Sequence, residues 1–142
     1  MTERTSSAEW RGDLKSGQGE LTVGSGAYTG AYSFASRFEE GDGTNPEELI
    51  GAAHAACFSM SLSNLLGQDG TPPDSVRTEA TVHLERVDGA QTITRVVLST
   101  VGKVPGIDEA TFRERAETAK ATCPVSRLLA AAQIDLEVEF SN

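Results

Sequence analysis

The sequence predicts an α+β fold in which antiparallel sheets accompany one long, apolar central helix. Three observations support this fold class: short extended segments separated by glycines, a long helical segment without a polar face, and a later region that alternates strands with helices. At 142 residues, the chain fits one domain that buries roughly two thirds of its unfolded surface. We therefore expect a single domain over residues 1–142.

The first third of the chain is predicted to form a small antiparallel sheet. Glycines recur there at intervals that suit turns between short strands. The loop Glu39–Thr44, with the sequence EEGDGT, ends this region. The candidate strands are Ala8–Leu14, Gly19–Gly24 and Ala27–Phe34.

The segment Glu47–Leu66 has the strongest helix signal in the chain. Asn45 can cap the helix, Pro46 suits the first helical position, and Glu48 stands where the carboxylate of a capping box reaches back. Apolar or small residues occupy nearly every angle of the helix, whereas an ordinary surface helix shows a polar face. We therefore expect this helix to be surrounded by protein, partly by a second copy of the chain, in an intertwined homodimer.

The rest of the chain is predicted to form a hairpin, two helices and a final strand. The hairpin turn is Asp88-Gly89, which joins two alternating segments. Asp108 can cap one helix, and Cys123 followed by Pro124 can cap the next. The predicted elements are the strands Val76–Val87 and Thr92–Val104, helices from Asp108 to about Ala121 and from Cys123 to Ala132, and the strand Ile134–Phe140.

Charge and hydropathy exclude several classes of partner. The net charge of −9, from 21 acidic and 12 basic residues, repels nucleic acid phosphates and anionic lipid heads. We find no apolar run of the 18 or more residues that a membrane span requires. The segment Met1–Trp10 lacks the basic start and apolar middle of an export signal, so we expect a cytoplasmic protein with no nucleic acid or membrane partner.

The two cysteines, Cys57 and Cys123, are the candidates for chemistry. In the cytoplasm, thiols stay reduced unless a disulfide is transient and catalytic or redox-sensing. Cys123 is predicted at the amino end of a helix, where the unpaired N–H groups and helix dipole favour a thiolate. Cys57 lies in the apolar helix, where burial raises a thiol pKa and makes it inert, unless a cation is supplied by another segment. The candidate cations are Arg37, Arg11 and Arg127. Either cysteine could instead be a small buried core residue.

Other kinds of site receive less support. Two cysteines and two histidines match a zinc set by number, but only His54 and Cys57 are near each other in sequence, whereas structural zinc sites use paired short spacings. His54 is therefore interpreted as a core or interface residue, and no metal or cofactor is expected. The glycines lack a nucleotide-binding pattern, and the serines lack a nucleophile elbow.

Two segments that contain the cysteines resemble the two cysteine motifs of the OsmC/Ohr family, the osmotically inducible protein C and organic hydroperoxide resistance proteins. They are Gly43–Leu62, GTNPEELIGAAHAACFSMSL, and Ala121–Leu128, ATCPVSRL. The likeness spans nearly the whole chain and is greater to the OsmC branch than to the Ohr branch. It extends to the stretches AEWRGDLKSGQGELTV, YSFASRFE and KVPGIDEATF.

The resemblance implies a thiol-dependent peroxidase for organic hydroperoxides, with some action on hydrogen peroxide. Cys57 matches the peroxidatic cysteine, which becomes a sulfenic acid, and Cys123 matches the resolving cysteine, which converts it to a disulfide. An external dithiol then reduces the pair; in Ohr-type relatives it is a dihydrolipoyl group, and the donor stays open here. Arg37 matches the activating arginine and Glu47 its partner carboxylate, which would hold the guanidinium by a bidentate pair.

The spacing of Glu47 and Cys57 restricts how one arginine serves both. They are ten residues apart, which on a straight helix is about 15 Å along the axis and roughly 80° around it. Either the first turn departs from the helix axis, or Glu47 serves the Cys57 of the other subunit. Two other functions remain open at this point: a redox sensor or small-molecule binder that uses the cysteines without turnover, and a zinc-stabilised structural protein.

Overall fold

The computed structural model describes all 142 residues, and the chain divides into two compact units, residues 1–49 and 50–142. Helices and sheets occur together, so the predicted α+β class is confirmed. The boundary between the units falls within the long helix. A single domain over residues 1–142 stays a prediction.

The first unit contains the predicted antiparallel sheet. Its strands are β1 (Ser6–Arg11), β2 (Gln18–Val23) and β3 (Thr29–Tyr32), in the order β1-β2-β3. The rings of Trp10 and Tyr32 lie 5.4 Å apart on either side of Gly19. A Cβ atom on Gly19 would lie 2.5 Å from the Tyr32 ring, so the glycine is required for these two rings to approach.

A short helix, α1 (Phe34–Phe38), follows the first sheet and was not predicted. The predicted strand Ala27–Phe34 is wrong at its end, because β3 ends at Tyr32 and Phe34 begins α1. Ser33 and Ser36 form a capping box: the Ser36 N–H donates to Ser33 Oγ at 3.1 Å, and the Ser33 N–H donates to Ser36 Oγ at 2.8 Å. These reciprocal bonds satisfy two N–H groups in a helix too short for apolar periodicity to reveal.

The long helix α2 (Pro46–Gln68) begins where the sequence predicts. Asn45 Oδ1 accepts from the Glu48 N–H at 2.8 Å, which confirms the cap. The Glu48 carboxylate accepts from the Asn45 side-chain amide at 2.9 Å, rather than from the backbone N–H that a capping box uses. The buried residues follow one stripe of the helix and are Gly51, His54, Phe58, Leu62 and Leu66.

The other face of α2 is uncovered in a single chain. Met60 is 75% exposed, and the small residues Ala52, Ala53 and Ala56 are also exposed. Within one copy of the chain, the helix is therefore not surrounded by protein. This leaves an apolar face that the predicted second subunit would cover.

By length and composition, α2 also meets the criterion for a membrane span, with a mean hydropathy of 1.4 over an 18-residue window. The helix has no uninterrupted apolar run of 18 residues, and it meets the criterion because the average tolerates its scattered polar residues. This is weak evidence for a span, since the core helices of soluble proteins pass the same criterion. In a single copy of the chain, 28% of that window is buried, along the stripe with His54 and Phe58.

The second unit pairs two long strands in the predicted hairpin. They are β4 (Ser75–Val87) and β5 (Ala90–Lys103), joined at Asp88 and Gly89, which have φ angles of 49° and 81°. Positive φ at both positions is what a two-residue hairpin turn requires. The Asp88-Gly89 prediction is confirmed.

The last strand, β6 (Gln133–Ser141), lies parallel to β5, so the second sheet is mixed rather than wholly antiparallel. A parallel pair needs a long crossover. Here α3 (Glu109–Thr122) and α4 (Pro124–Leu128) form it. Asp108 caps α3 as predicted, while α4 ends at Leu128 rather than at Ala132. The core of this unit is made by Phe58, Leu62, Leu66, Val96, Leu98, Val104 and Phe112.

Candidate functional site

Cys57 and Cys123 are brought together in the second unit, although they are far apart in sequence. Burial raises the pKa of the Cys57 thiol, the backbone N–H of Val125 acts against this, and the adjacent Cys123 thiol raises the pKa further. Both cysteines are free thiols in the structure. The predicted pair is therefore adjacent, and Cys57 is held mainly as a neutral thiol by its surroundings within this unit.

Cys123 is fixed by the junction between α3 and α4. Its backbone N–H donates to the Ala119 carbonyl at 2.9 Å, which closes α3. Its Sγ accepts from the Ser126 N–H at 3.3 Å, which caps α4, and Pro124 occupies the first position of that helix. The side chain is fully buried. The prediction of Cys123 as a helix cap is confirmed.

A buried polar network extends from Cys123 to α2. Cys123 Sγ donates to Ser126 Oγ at 3.1 Å, and Ser126 Oγ lies 2.7 Å from Nε2 of His54. His54 is fully buried, and burial lowers its pKa, which favours the neutral ring. The sequence predicts His54 as a core or interface residue, and the burial of its side chain agrees with the first of these, whereas no role for Ser126 is predicted. The only sequence signal for Ser126 is its position three residues after the capping Cys123.

Arg37 and Glu47 form an ion pair in the first unit. Arg37 Nε donates to the two carboxylate oxygens at 3.1 and 3.2 Å, and Nη2 donates to Oε1 at 2.7 Å. The guanidinium carbon lies 5.2 Å from the centre of the Phe38 ring. Nη1 has no hydrogen-bond partner among the residues of the chain, so this end of the guanidinium is free to bind a ligand.

An aromatic cavity of about 210 Å³ adjoins Arg37 in the same unit. Its apolar lining would suit a hydrocarbon group, and Arg37 contributes a cation to its wall. The lining residues are Trp10, Leu14, Tyr32, Ser33, Phe34, Arg37 and Phe38.

The other two candidate cations have different environments. Arg11 is exposed and pairs with Glu9 on the same strand. Arg127 is exposed on α4 and lines a surface cavity of about 400 Å³ together with Lys120 and Ser126. No group of three or more His, Cys, Asp or Glu side chains in the chain is arranged to hold a metal ion.

The protein is of the two-cysteine thiol class. Its α+β fold places a cysteine within one helix next to a second cysteine at the junction of two others. The model of the OsmC-like protein family matches residues 39–139. The chain is 48% identical over 136 residues to peroxiredoxin OsmC of Escherichia coli, and the alignment covers 95% of this chain and 94% of that protein. The chain belongs to the OsmC-like family.

More distant relatives agree with this assignment. Over 87 residues the chain is 34% identical to an organic hydroperoxide resistance protein of Xanthomonas axonopodis, covering 61% of this chain and 59% of that protein. The crystal structure of the organic hydroperoxide resistance protein OhrB of Bacillus subtilis aligns with a TM-score of 0.72 and 25% identity, covering 96% of this chain and 98% of that one. The predicted family is confirmed, with the OsmC relative more similar than the Ohr relatives.

Proposed function

We propose that this chain is a thiol-dependent peroxidase that reduces organic hydroperoxides through Cys57 and Cys123. The observation that carries the proposal is the adjacency of these two free thiols, one on α2 and one at the α3–α4 junction. The relatives in sequence are named a peroxiredoxin and an organic hydroperoxide resistance protein. Two adjacent thiols are the arrangement that lets a sulfenic acid be converted to a disulfide.

The reaction proceeds in three balanced steps. The Cys57 thiolate attacks the peroxide O–O bond, which yields a sulfenic acid on Cys57 and releases the alcohol once the alkoxide takes a proton. The Cys123 thiol then displaces hydroxide from the sulfenic sulfur, which gives the disulfide and, after protonation, water. An external dithiol attacks this disulfide and leaves as a disulfide itself, restoring both thiols. No cofactor or metal takes part, and a dihydrolipoyl group is one candidate for the dithiol.

The first step requires a cation, because burial keeps Cys57 largely in the neutral form. Arg37 is the proposed cation and Glu47 holds it. Since the free Nη1 edge of Arg37 is not used by the ion pair, it can donate to the peroxide oxygen that leaves.

We assign Arg37 and Glu47 to the Cys57 of a second subunit. α2 is one uninterrupted helix from Pro46 to Gln68, so residues ten positions apart on it are separated by about 15 Å along the axis. The uncovered apolar face of α2, with Met60, provides the surface for a homodimer. In this arrangement, each subunit supplies the cysteines of one site and the ion pair of the other.

The aromatic cavity beside Arg37 supports an organic hydroperoxide as the preferred substrate. Its apolar lining favours an alkyl or aryl group over the small, polar hydrogen peroxide, for which some activity is still expected. A cytoplasmic location, where a dithiol donor is available, completes the proposal. The net charge of −9 does not favour nucleic acid or membrane surfaces as partners.

Turnover of tert-butyl hydroperoxide with a dithiol reductant tests the proposal. A peroxidase consumes hydroperoxide continuously until either reagent is exhausted, and the Cys57→Ser protein consumes none. A redox sensor or binding protein with the same cysteines would consume one equivalent and then stop. That outcome would contradict the enzymatic function while leaving the cysteine chemistry intact.

A further inference from the structure

His54 and Ser126 form a buried chain of polar groups that ends on the sulfur of Cys123. Ser126 Oγ lies 2.7 Å from His54 Nε2 and 3.1 Å from Cys123 Sγ, and the Ser126 N–H lies 3.3 Å from the same sulfur. His54 and Cys123 are fully buried, and Ser126 is 3% exposed. The peroxide-reducing step does not use these hydrogen bonds, because the peroxide is attacked by Cys57.

The hydrogen bonds define a direction for proton transfer. When the Cys123 thiol donates to Ser126 Oγ, the Ser126 hydroxyl is free to donate to His54 Nε2. His54 then accepts at Nε2 as a neutral ring, which its buried position favours. Nδ1 of His54 has no partner, so Ser126 is the single polar contact of the ring. The His54 ring therefore makes no other hydrogen bond within the protein.

We propose that His54, acting through Ser126, removes the proton from Cys123 when that thiol attacks the Cys57 sulfenic acid. The inference rests on the proposed peroxidase function and extends it to the resolving step. Ser126 touches the reacting sulfur and is a catalytic residue, whereas His54 acts through Ser126 and is a positioning residue. The sequence alone shows neither role.

The step balances as follows. The Cys123 proton passes to Ser126 Oγ while the Ser126 proton passes to His54 Nε2. The Cys123–Cys57 S–S bond forms as the S–O bond of the sulfenic acid breaks, and the hydroxide released takes a proton from solvent to become water. The imidazolium then gives its proton through Ser126 to solvent in the surface cavity of about 400 Å³ that Ser126 lines, which replaces the proton taken by the hydroxide. The sum is a thiol and a sulfenic acid giving a disulfide and water.

Few charged groups face this network. Cys57 and Cys123 are its titratable neighbours on α2 and at the α3–α4 junction. Lys120 and Arg127 are the basic side chains that line the surface cavity beside Ser126. Because Cys57 is already a sulfenic acid at this step, the pH dependence of disulfide formation near neutrality reports the proton transfer from Cys123 to His54.

The test follows one round of oxidation by tert-butyl hydroperoxide in a stopped-flow experiment. Two rate constants are measured over a pH series: formation of the Cys57 sulfenic acid, by dimedone trapping, and formation of the disulfide, by mass after acid quenching. One variant is Ser126→Ala, which removes the hydroxyl group that links Cys123 to His54. The other is His54→Gln, whose amide keeps a polar atom near the position of Nε2 but is not a base. One control is Ser59→Ala, which lies on α2 like His54 and removes a hydroxyl contact to Thr78 on β4. The other is His83→Gln on β4.

We expect Ser126→Ala and His54→Gln to form the sulfenic acid at the wild-type rate and the disulfide about 100-fold more slowly at pH 7, the lower range of general-base catalysis. Their disulfide rates should rise with pH, as hydroxide replaces His54 in removing the Cys123 proton, and approach wild type in alkali. Wild-type disulfide rates in the two variants, with the controls also unchanged, would overturn the proposal. A His54→Gln protein that matches wild type while Ser126→Ala is slow would reduce His54 to a structural role. Absence of sulfenic acid in every protein would instead contradict the peroxidase function itself.

Discussion

Replacing Arg37 with alanine tests how the buried Cys57 becomes a nucleophile. An ordinary cysteine, with a pKa of about 8.5, is about 3% thiolate at pH 7, and burial leaves Cys57 with less. A cation that ionised the thiol fully would raise the thiolate population about 30-fold or more. The same change makes each thiolate about tenfold less nucleophilic, if a Brønsted coefficient of about 0.4–0.5 applies. Ionisation alone therefore accelerates the reaction only about threefold.

A larger effect must come from the hydrogen bond that Arg37 donates to the leaving peroxide oxygen. Removal of one donor of this kind typically costs about 10²–10³ in rate. We therefore expect Arg37→Ala to lower kcat/KM for tert-butyl hydroperoxide by about 10²–10³ at pH 7. The loss should persist at alkaline pH, where Cys57 ionises in either protein. Arg37→Lys, which keeps the charge but loses the planar fork, should recover only part of the rate.

The assay is the initial rate of Cys57 sulfenic acid formation over a pH series, measured in a Cys123→Ser background so that the second step does not interfere. Arg11→Ala is the matched control, because Arg11 is an exposed arginine paired with a carboxylate in the same unit. Glu47 is 12% exposed and would lose its partner, so unfolding is followed in parallel. Recovery of the full wild-type rate by Arg37→Ala in alkali would refute the role assigned to the hydrogen bond. A wild-type rate at pH 7 would refute any role for Arg37.

Two further predictions concern the core and the dimer. Gly102→Ala places a Cβ about 2.1 Å from the Phe112 ring, so overpacking of about 1–3 kcal/mol should lower Tm by several degrees. The control is Gly67→Ala, which should not lower Tm because no atom lies within 4 Å of its added Cβ. Equal Tm values for the two variants in calorimetry would refute the Gly102–Phe112 contact. Met60→Glu puts a charge on the uncovered face of α2 and should convert a dimer to a monomer in light scattering, while Val87→Glu at the hairpin end should leave the dimer intact. A dimeric Met60→Glu protein would place the interface elsewhere.

Much of the fold follows from local signals in the sequence. Asn45-Pro46 marks the start of α2, Asp88-Gly89 marks the hairpin, and Asp108 marks α3, because caps and two-residue turns depend on neighbouring residues alone. Other features depend on contacts between distant segments. The five-residue α1 is too short for a periodic pattern, and the parallel pairing of β6 depends on how the α3–α4 crossover packs.

The candidate site divides in the same way. The position of Cys123 at a helix start is visible in the sequence, but its neighbour Cys57 is not, because the contact joins segments 66 residues apart. The Arg37–Glu47 pair was predicted from the resemblance to a family rather than from any pattern of charges, and its bidentate geometry is confirmed. The contact of His54 with Ser126 spans 72 residues and has no signal in the sequence.

The mass of the intact protein after one equivalent of tert-butyl hydroperoxide tests the central claim most directly. If Cys57 is attacked first and Cys123 resolves it, the wild-type protein loses two hydrogen atoms in forming one Cys57–Cys123 disulfide. The Cys123→Ser protein should instead gain one oxygen atom on Cys57, in a form that dimedone traps, and Cys57→Ser should gain none. An oxygen atom on Cys123 of the Cys57→Ser protein, formed as fast as the wild-type disulfide, would contradict the assignment of roles.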